Sequence, residues 1–462
     1  MTLIKSISGI RGTIGGTVGD NLTPIDTVKF AAAYGTWIKD QRSKEHYRVV
    51  VGRDARISGA MVQNLVMNTL IGMGIDVIDL DLSTTPTVEI AVPLEHADGG
   101  IILTASHNPK QWNALKLLDQ NGEFLNAEHS QRVLDIATAD SMEFADVDDL
   151  GAITVNQAYF DIHIDEVLDL ELVNVKAIAD SNFKVVVDAV NSTGGIAIPL
   201  LLERLGVEAV KIHCEPNGQF PHNPEPLKQH LTDLSEKVVS SHADFGIAVD
   251  PDVDRLAFMD EKGMMFGEEY TLVACADYIL SQKPGNTVSN LSSTRALRDV
   301  TEKHGGTYTA SAVGEVNVVN AMKATQAVIG GEGNGGIIYP ESHFGRDALV
   351  GVALFLSLLA ERKMAVSALR ASYPSYFMSK KKIDLNPSID VDAILVAMEA
   401  KYANEQISTI DGVKIDFPTE WVHLRKSNTE AIIRIYTEAP SQSAADQLAD
   451  KIISEIKAIA GI

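Results

Sequence analysis

Apolar and polar positions in this chain repeat one arrangement three times: a β-rich run, a polar or glycine-containing loop, then a helix. The three copies are YRVVVGRDARISGAMVQNLV from Tyr47, FKVVVDAVNSTGGIAIPLLLERLG from Phe183 and NTVSNLSSTRALRDVTEKHG from Asn286. Each continues into a second strand and loop: IDVIDLDLSTTPT, EAVKIHCEPNG and TYTASAVGE. A third strand then runs into an unusual loop, in GGIILTASHNP, ADFGIAVDPDVDR and QAVIGGEGNGG. Strands alternating with helices predict α/β architecture. Ligands of open α/β sheets gather outside the carboxyl ends of the strands, so the pattern predicts three equivalent loops converging on one cleft.

After Ser372-Tyr373-Pro374, where a hinge is expected, the pattern changes. FMSKKKIDL reads as a strand, VDAILVAMEAKYAN as a helix, VKIDF, WVHLR and AIIRIYTEA as strands, and SAADQLADKIISEIKAIAG as a closing helix. This predicts a smaller α+β domain with its own loop, RKSNTE.

A length of 462 residues exceeds one ordinary core and implies three or four domains. Hydrophobic content of 45% with moderate charge describes a globular chain. The N-terminal MTLIKSISGIRGTIGG lacks the apolar stretch of a secretory signal, and no run reaches the ~20 apolar residues of a membrane span. The two cysteines, Cys214 and Cys275, sit in apolar contexts that read as buried, without metal-like spacing; the cytoplasm is the expected compartment. A formal charge of -23 excludes nucleic acid as a partner, and it means that an anionic substrate needs a local cluster of cations.

Ser106, in TASHNP, follows an apolar strand among small and turn-forming residues. A hydroxyl so placed can carry a phosphoryl group, with His107 and Lys116 near enough in sequence to move protons or offset charge. A turn or helix cap is the competing reading, and no G-x-S-x-G elbow supports a hydrolytic triad. Asp250, Asp252 and Asp254 alternate after the strand FGIAV and would repel one another unless a hard cation such as Mg2+ lay between them. An EF-hand is excluded: its sixth position is Arg255 rather than glycine, and a strand precedes it. A solvated acidic turn, or Asp250 itself as nucleophile, are the alternatives.

In GGEGNGG, backbone able to approach a ligand closely carries Glu332 and Asn334, suited to sugar hydroxyls or an amine; a plain tight turn is the alternative. RKSNTEAIIR gathers Arg425, Lys426 and Arg434 around Ser427, Asn428 and Thr429, a phosphate-type set that could equally be a capped helix start with flanking charge.

In this order and at these separations, the four loops resemble the active site of the α-D-phosphohexomutases. TASHNP at 104–109, DPDVDR at 250–255 and RKSNTE at 425–430 carry the resemblance, with SGIRG at 8–12, GRDARISG at 52–59, PNGQFPHNPEP at 216–226 and AVGEVNV at 312–318 in support. It covers essentially the whole chain. It implies three similar mixed-sheet α/β domains and a C-terminal α+β TATA-binding-protein-like domain around a central cleft. Their expected ranges are a phosphoserine domain at 1–155, a metal-binding domain at 156–258, a sugar-recognition domain at 259–372 and a phosphate-binding domain at 373–462. The resemblance further implies that Ser106 is phosphorylated and holds Mg2+ with Asp250, Asp252 and Asp254. Lys116 and Arg255 would assist transfer and Arg11 would line the cleft. Arg425, Ser427, Asn428, Thr429 and Arg434 would grip the phosphate that does not react.

Three departures from the family pattern stand out. The sugar loop often ends in Gly-His, but Gly336 stands here, which leaves His107 or Lys116 for proton transfer. Asn113-Ala114-Leu115-Lys116 replaces the usual Asn-Gly before the lysine, and Lys426 and Ala431 stand where prolines are frequent. The Glu-Gly-Asn sugar loop is similar to that of phosphoglucosamine mutase-like proteins, and the Glu332 carboxylate suits an ammonium at the second sugar carbon. The expectation is an intramolecular phosphotransferase interconverting glucosamine 6-phosphate and glucosamine 1-phosphate through a sugar 1,6-bisphosphate, working as monomer or homodimer. Mannose or glucose phosphate is the second choice, and a sugar-phosphate binding protein the non-enzymatic one.

Overall fold

The computed structural model describes residues 2–6, 9–384, 389–426 and 432–461. The chain divides into two compact units, Met1–Ile279 with Asn334–Ala368, and Leu280–Gly333 with Leu369–Ile462.

The first unit holds two sheets. Its larger one contains β1 (Ile4–Ser6), β2 (Gly9–Thr13), β3 (Tyr47–Arg53), β4 (Ile75–Leu82), β5 (Gly99–Leu103), β6 (Trp112–Leu118) and β7 (Ile153–Val155), in the order β1-β2-β6-β5-β3-β4-β7. β3 pairs in parallel with β4 and β5, while β6 returns antiparallel to β5. The second sheet, β8 (Lys184–Asp188), β9 (Glu208–Ile212), β10 (Phe245–Val249) and β11 (Leu256–Asp260), has the order β11-β10-β8-β9, with β8 parallel to both β9 and β10 and β11 antiparallel. Strands buried on both faces read as continuous apolar runs, as Val49–Val51 and Val185–Val187 do; all six side chains are fully buried.

In the second unit, β12 (Asn286–Asn290), β13 (Tyr308–Ser311) and β14 (Ala327–Glu332) pair in parallel, again with the first strand central. The threefold pattern is therefore one supersecondary plan: strand, helix, second strand on one side, helix, third strand on the other. β15 (Gly336–Ile338) belongs to the first unit. The rest of the second unit is a five-stranded sheet of β16 (Phe377–Asp384), β17 (Gln406–Ser408), β18 (Val413–Asp416), β19 (Trp421–Lys426) and β20 (Ile432–Ala439), all antiparallel, in the order β16-β20-β19-β18-β17. Helices Val391–Lys401 and Gln442–Ala460 share one core with it, through Ile394, Met398, Ile452 and Ile456 against Ile415, Leu424 and Ile435. This is the α+β domain that the final stretch predicted, so the fold class holds: mixed-sheet α/β domains followed by an α+β domain.

Cys275 is buried, but Cys214 is only half-buried, against expectation, because it follows a short strand at the sheet edge. Among the described residues no helix is long and apolar enough to cross a membrane.

Candidate active site

The loop after β5 is held from beneath by one buried guanidinium. Arg56 is 1% exposed, pairs with Asp54 at 2.9 Å and donates to the carbonyls of Ser106, Asn108, Pro109 and Trp112. Thr104 Oγ1 donates to Asp54 at 2.6 Å and accepts from the Ser106 N–H at 2.9 Å. Burial pushes the Asp54 carboxyl up, and the Arg56 guanidinium opposes that. Under these constraints Ser106 takes a left-handed φ of 47°, a conformation that a non-glycine residue keeps only where its surroundings impose it.

The loop after β10 meets this serine. Ser106 Oγ donates to Asp250 Oδ2 at 2.7 Å. Asp250, Asp252 and Asp254 are fully buried, with one carboxylate oxygen of each within 4.8 Å of the others. This loop is strained too: Val253, β-branched, has φ 64°. The hydroxyls of Ser192 and Thr193 fix it by donating to the Pro251 carbonyl at 2.7 and 3.0 Å.

Three cations face the three carboxylates. Lys116, on β6, donates to Asp252 at 2.6 Å and to Asp254 at 3.3 Å. Arg346 donates to Asp254 at 2.7 Å, and Arg255 Nε lies 4.0 Å from both Asp250 and Asp254. Thr85 Oγ1 donates to Asp252 at 2.7 Å. Even so, Asp252 Oδ1 and Asp254 Oδ1 are buried without a hydrogen-bond partner, a cost that a divalent cation among the carboxylates would remove. The oxygen-only donor set suits a hard cation.

The electrostatics separate the candidate proton carriers. Burial raises the Asp250 carboxyl, and Asp252 and Asp254 raise it further. Burial would also raise Asp252, but the Lys116 ammonium outweighs it and holds that carboxyl low. Burial alone would lower Lys116, yet Asp252 and Asp254 prevail, so the amine stays charged. His107 Nδ1 lies 3.3 Å from Ser106 Oγ; desolvation, then Arg255, pull its pKa down to about 3 against a smaller opposing pull from Asp254, so the ring is neutral. Arg11, on β2 opposite Ala114 of β6, adds to the positive field on that ring.

The remaining sequence candidates are placed as follows. Glu332, at the end of β14, accepts from Asn290 at 2.9 Å and from the Gly314 N–H at 3.2 Å, which fixes its carboxylate. Asn334 belongs to the first unit, where its Oδ1 accepts from the Gly336 N–H at 3.1 Å. Next to it, Gly335 has φ 87°, and a Cβ there would meet the Leu256 carbonyl oxygen at 2.2 Å. Arg425 and Arg434 stand opposite each other on β19 and β20; Arg425 pairs with Asp411 at 2.8 Å and Arg434 is exposed. Ser427, Asn428 and Thr429 lie outside the described residues.

Sequence reasoning missed Arg56, Asp54, Thr85, Thr104 and Arg346. Arg56 and Asp54 sit inside the GRDARISG motif, which the sequence alone leaves without residue roles, whereas Arg346 carries no local signal.

Four domain models of the phosphoglucomutase/phosphomannomutase type match this chain: alpha/beta/alpha domain I at residues 3–143, domain II at 161–263, domain III at 267–376 and the C-terminal domain at 381–455. A phosphoglucomutase/phosphomannomutase of Thermococcus kodakarensis is 34% identical over 94% of this chain and 95% of its own. A phosphoglucosamine/phosphogalactosamine mutase of Sulfurisphaera tokodaii is 30% identical over 96% and 97%. The crystal structure of a phosphoglucomutase/phosphomannomutase family protein from Burkholderia thailandensis superposes with a TM-score of 0.85 at 26% identity, covering 99% of this chain and 98% of that one. With matched domains along the chain and full-length relatives at 30% identity or more, this protein belongs to the phosphoglucomutase/phosphomannomutase family.

Proposed function

We propose that this chain is a phosphohexomutase that interconverts glucosamine 6-phosphate and glucosamine 1-phosphate through phosphorylated Ser106. The observation that carries the reading is the 2.7 Å hydrogen bond from Ser106 Oγ to Asp250, inside a buried group of three aspartates faced by Lys116, Arg255 and Arg346.

In the forward direction, the bond from Ser106 Oγ to phosphorus breaks as one forms to the sugar O1. The O1 hydroxyl gives up its proton as Ser106 Oγ takes one up, so no net proton is released and the serine returns to the hydroxyl that donates to Asp250 Oδ2. The resulting 1,6-bisphosphate turns over, and its 6-phosphate returns to Ser106 by the same exchange at O6. Mg2+ held by Asp250, Asp252, Asp254 and the serine phosphate would neutralise charge on the group in transfer. Lys116, locked as an ammonium, stabilises the same charge, as does Arg255. A neutral His107 with a pKa of about 3 is a poor base near pH 7, so it orients rather than accepts. Arg425 and Arg434, with Ser427, Asn428 and Thr429, bind the phosphate that does not react, and Arg11 lines the site.

Glu332 supports the amino sugar: its fixed carboxylate suits an ammonium at C2, and the Sulfurisphaera relative is named for hexosamine phosphates. The Thermococcus relative, named for glucose and mannose phosphates, supports those sugars as the second reading. Intact-mass analysis with peptide mapping tests the chemistry, and coupled assays on glucosamine, glucose and mannose 6-phosphates test the substrate. A fraction of chains one phosphate heavier at Ser106, with fastest turnover of glucosamine 6-phosphate, is expected. Absence of both the phosphate and any turnover would overturn the mutase reading, and faster turnover of mannose 6-phosphate the choice of sugar.

A further inference from the structure

A second group of metal-type ligands lies in the first unit. Asp188 ends β8, His213 follows β9, and His222 sits in the loop at 216–226; one ligand atom of each lies within 4.8 Å of the others.

The hydrogen bonds of His222 define what its ring can do. Nδ1 donates to the Asn223 carbonyl at 2.8 Å, an oxygen that can only accept, so the neutral ring carries its proton on Nδ1. Its Nε2 lone pair then points at the Asp188 carboxylate, 3.1 and 3.2 Å away. A lone pair facing a carboxylate is repulsive unless a proton or a metal cation lies between them. Two ligands on a tetrahedral cation with bonds of ~2.0–2.1 Å are separated by roughly 3.3 Å, close to the spacing found here.

His213 Nε2 lies 3.0 Å from Asp233 Oδ2, the carboxylate–imidazole pairing that orients ligating histidines. The backbone around the cluster is held under strain, with φ 48° at His213, 47° at Val190 and 53° at Asn191. Asp188 is fully buried while both histidines are partly exposed, which leaves an entry route. Two imidazoles with one carboxylate favour a borderline transition-metal ion over Mg2+, the reverse of the preference of the three aspartates.

We propose that Asp188, His213 and His222 bind a divalent cation of the Zn2+ class at a site separate from the aspartate group. The cation would staple the loop at 216–226 to the end of β8. That loop also carries Phe220, 5.1 Å from the Arg56 guanidinium, and Glu225, paired with Arg255 at 3.3 Å. Gly218 seats it, since a Cβ there would meet the Ala55 carbonyl oxygen at 2.1 Å. The staple thus braces residues that hold Ser106 and face Asp250.

Calorimetric titration of the full chain with ZnCl2 in excess MgCl2 tests this without any activity readout. One equivalent of Zn2+ is expected to bind, at least tenfold more weakly in both His222→Gln and His213→Gln, and with unchanged affinity in Asp250→Asn. The partly exposed His213 supplies the usable variant should His222→Gln not fold. No Zn2+ binding in excess Mg2+, unchanged affinity in both histidine variants, or loss of binding in Asp250→Asn would each overturn the proposal.

Discussion

The surroundings of Ser106 and those of Glu332 and Arg425 are built on different principles. Ser106 rests on a fully buried ion pair, and every strand-end loop around it is tied down by hydroxyls or guanidinium groups of other segments. Arg425, by contrast, is partly exposed and paired with Asp411, its side chain 22% and that of Asp411 23% accessible, while Arg434 is exposed. A partly solvated pair exchanges a partner for a ligand phosphate at less cost than a fully buried one. Phosphoryl transfer depends on preset positions, and recognition of a substrate that must turn over depends on contacts that can be released.

The sharpest way to break this contrast is at the nucleophile. Ser106→Ala should lower turnover by at least about 10⁴-fold, since it removes the proposed phosphoryl carrier. The loop backbone should hold, because Arg56 grips the carbonyl rather than the side chain, and the loss in stability should stay within about 1–3 kcal/mol for the hydrogen bond to buried Asp250. Kinetics with intact mass checks the first and urea denaturation the second; a variant that is still phosphorylated in this loop and still turns over would show the acceptor to be another residue.

Arg56 comes next. Arg56→Met leaves Asp54 buried without its counter-ion and frees four loop carbonyls, so a loss of about 3–5 kcal/mol in urea denaturation is expected. Adding Asp54→Asn should recover part of it, since the stranded charge is then gone. By the same comparison, Arg425→Gln should cost less than about 1 kcal/mol. Equal losses at the two arginines would erase the distinction.

Arg56 and Arg346 also show what the sequence could and could not disclose. The strand–helix–strand rhythm is written locally, in runs such as Val49–Val51, so the repeated sheets and the loops at their ends were legible. That the loops of Ser106 and of the three aspartates meet was expected only from the resemblance of the ordered motifs, since each alone left a turn or a solvated acidic run open. Arg346 was not legible: its partner Asp254 lies 92 residues away, and no periodicity encodes such a meeting. Neither were β1, β2 and β7, too short or too mixed to rise above their flanks. GRDARISG was visible as a motif, but its role depends on a serine loop 50 residues later.

A third difference concerns acid. His423, buried on β19, donates from Nε2 to the Asp411 carbonyl and accepts at Nδ1 from Ser292, both in the second unit. Burial is the main cause that lowers its pKa from 6.5 to about 4. The unfolded chain therefore binds the extra proton first, so the neutral ring's contribution is complete above pH 6.5 and is lost as pH falls toward 4. The magnitude is roughly 3 kcal/mol between pH 7 and pH 4. Tryptophan-monitored denaturation at the two pH values should show that difference shrink by this amount in His423→Gln; an unchanged difference would mean that the ring takes up its proton as readily in the folded protein as in the unfolded chain.

The smallest effect is expected at Glu332. Its carboxylate is held by Asn290 and Gly314, so Glu332→Gln keeps the shape and one acceptor while removing the charge. If the carboxylate meets an ammonium at the second sugar carbon, the variant should lose about tenfold in kcat/KM for glucosamine 6-phosphate, corresponding to about 1.4 kcal/mol. For glucose or mannose 6-phosphate, where only hydroxyls are offered, the loss should be no more than about threefold. The ratio of the two losses is the informative quantity, because a general distortion of the loop would weaken all three sugars alike. An equal loss would assign Glu332 to holding Asn290 and Gly314 in place and leave the choice of sugar to other residues.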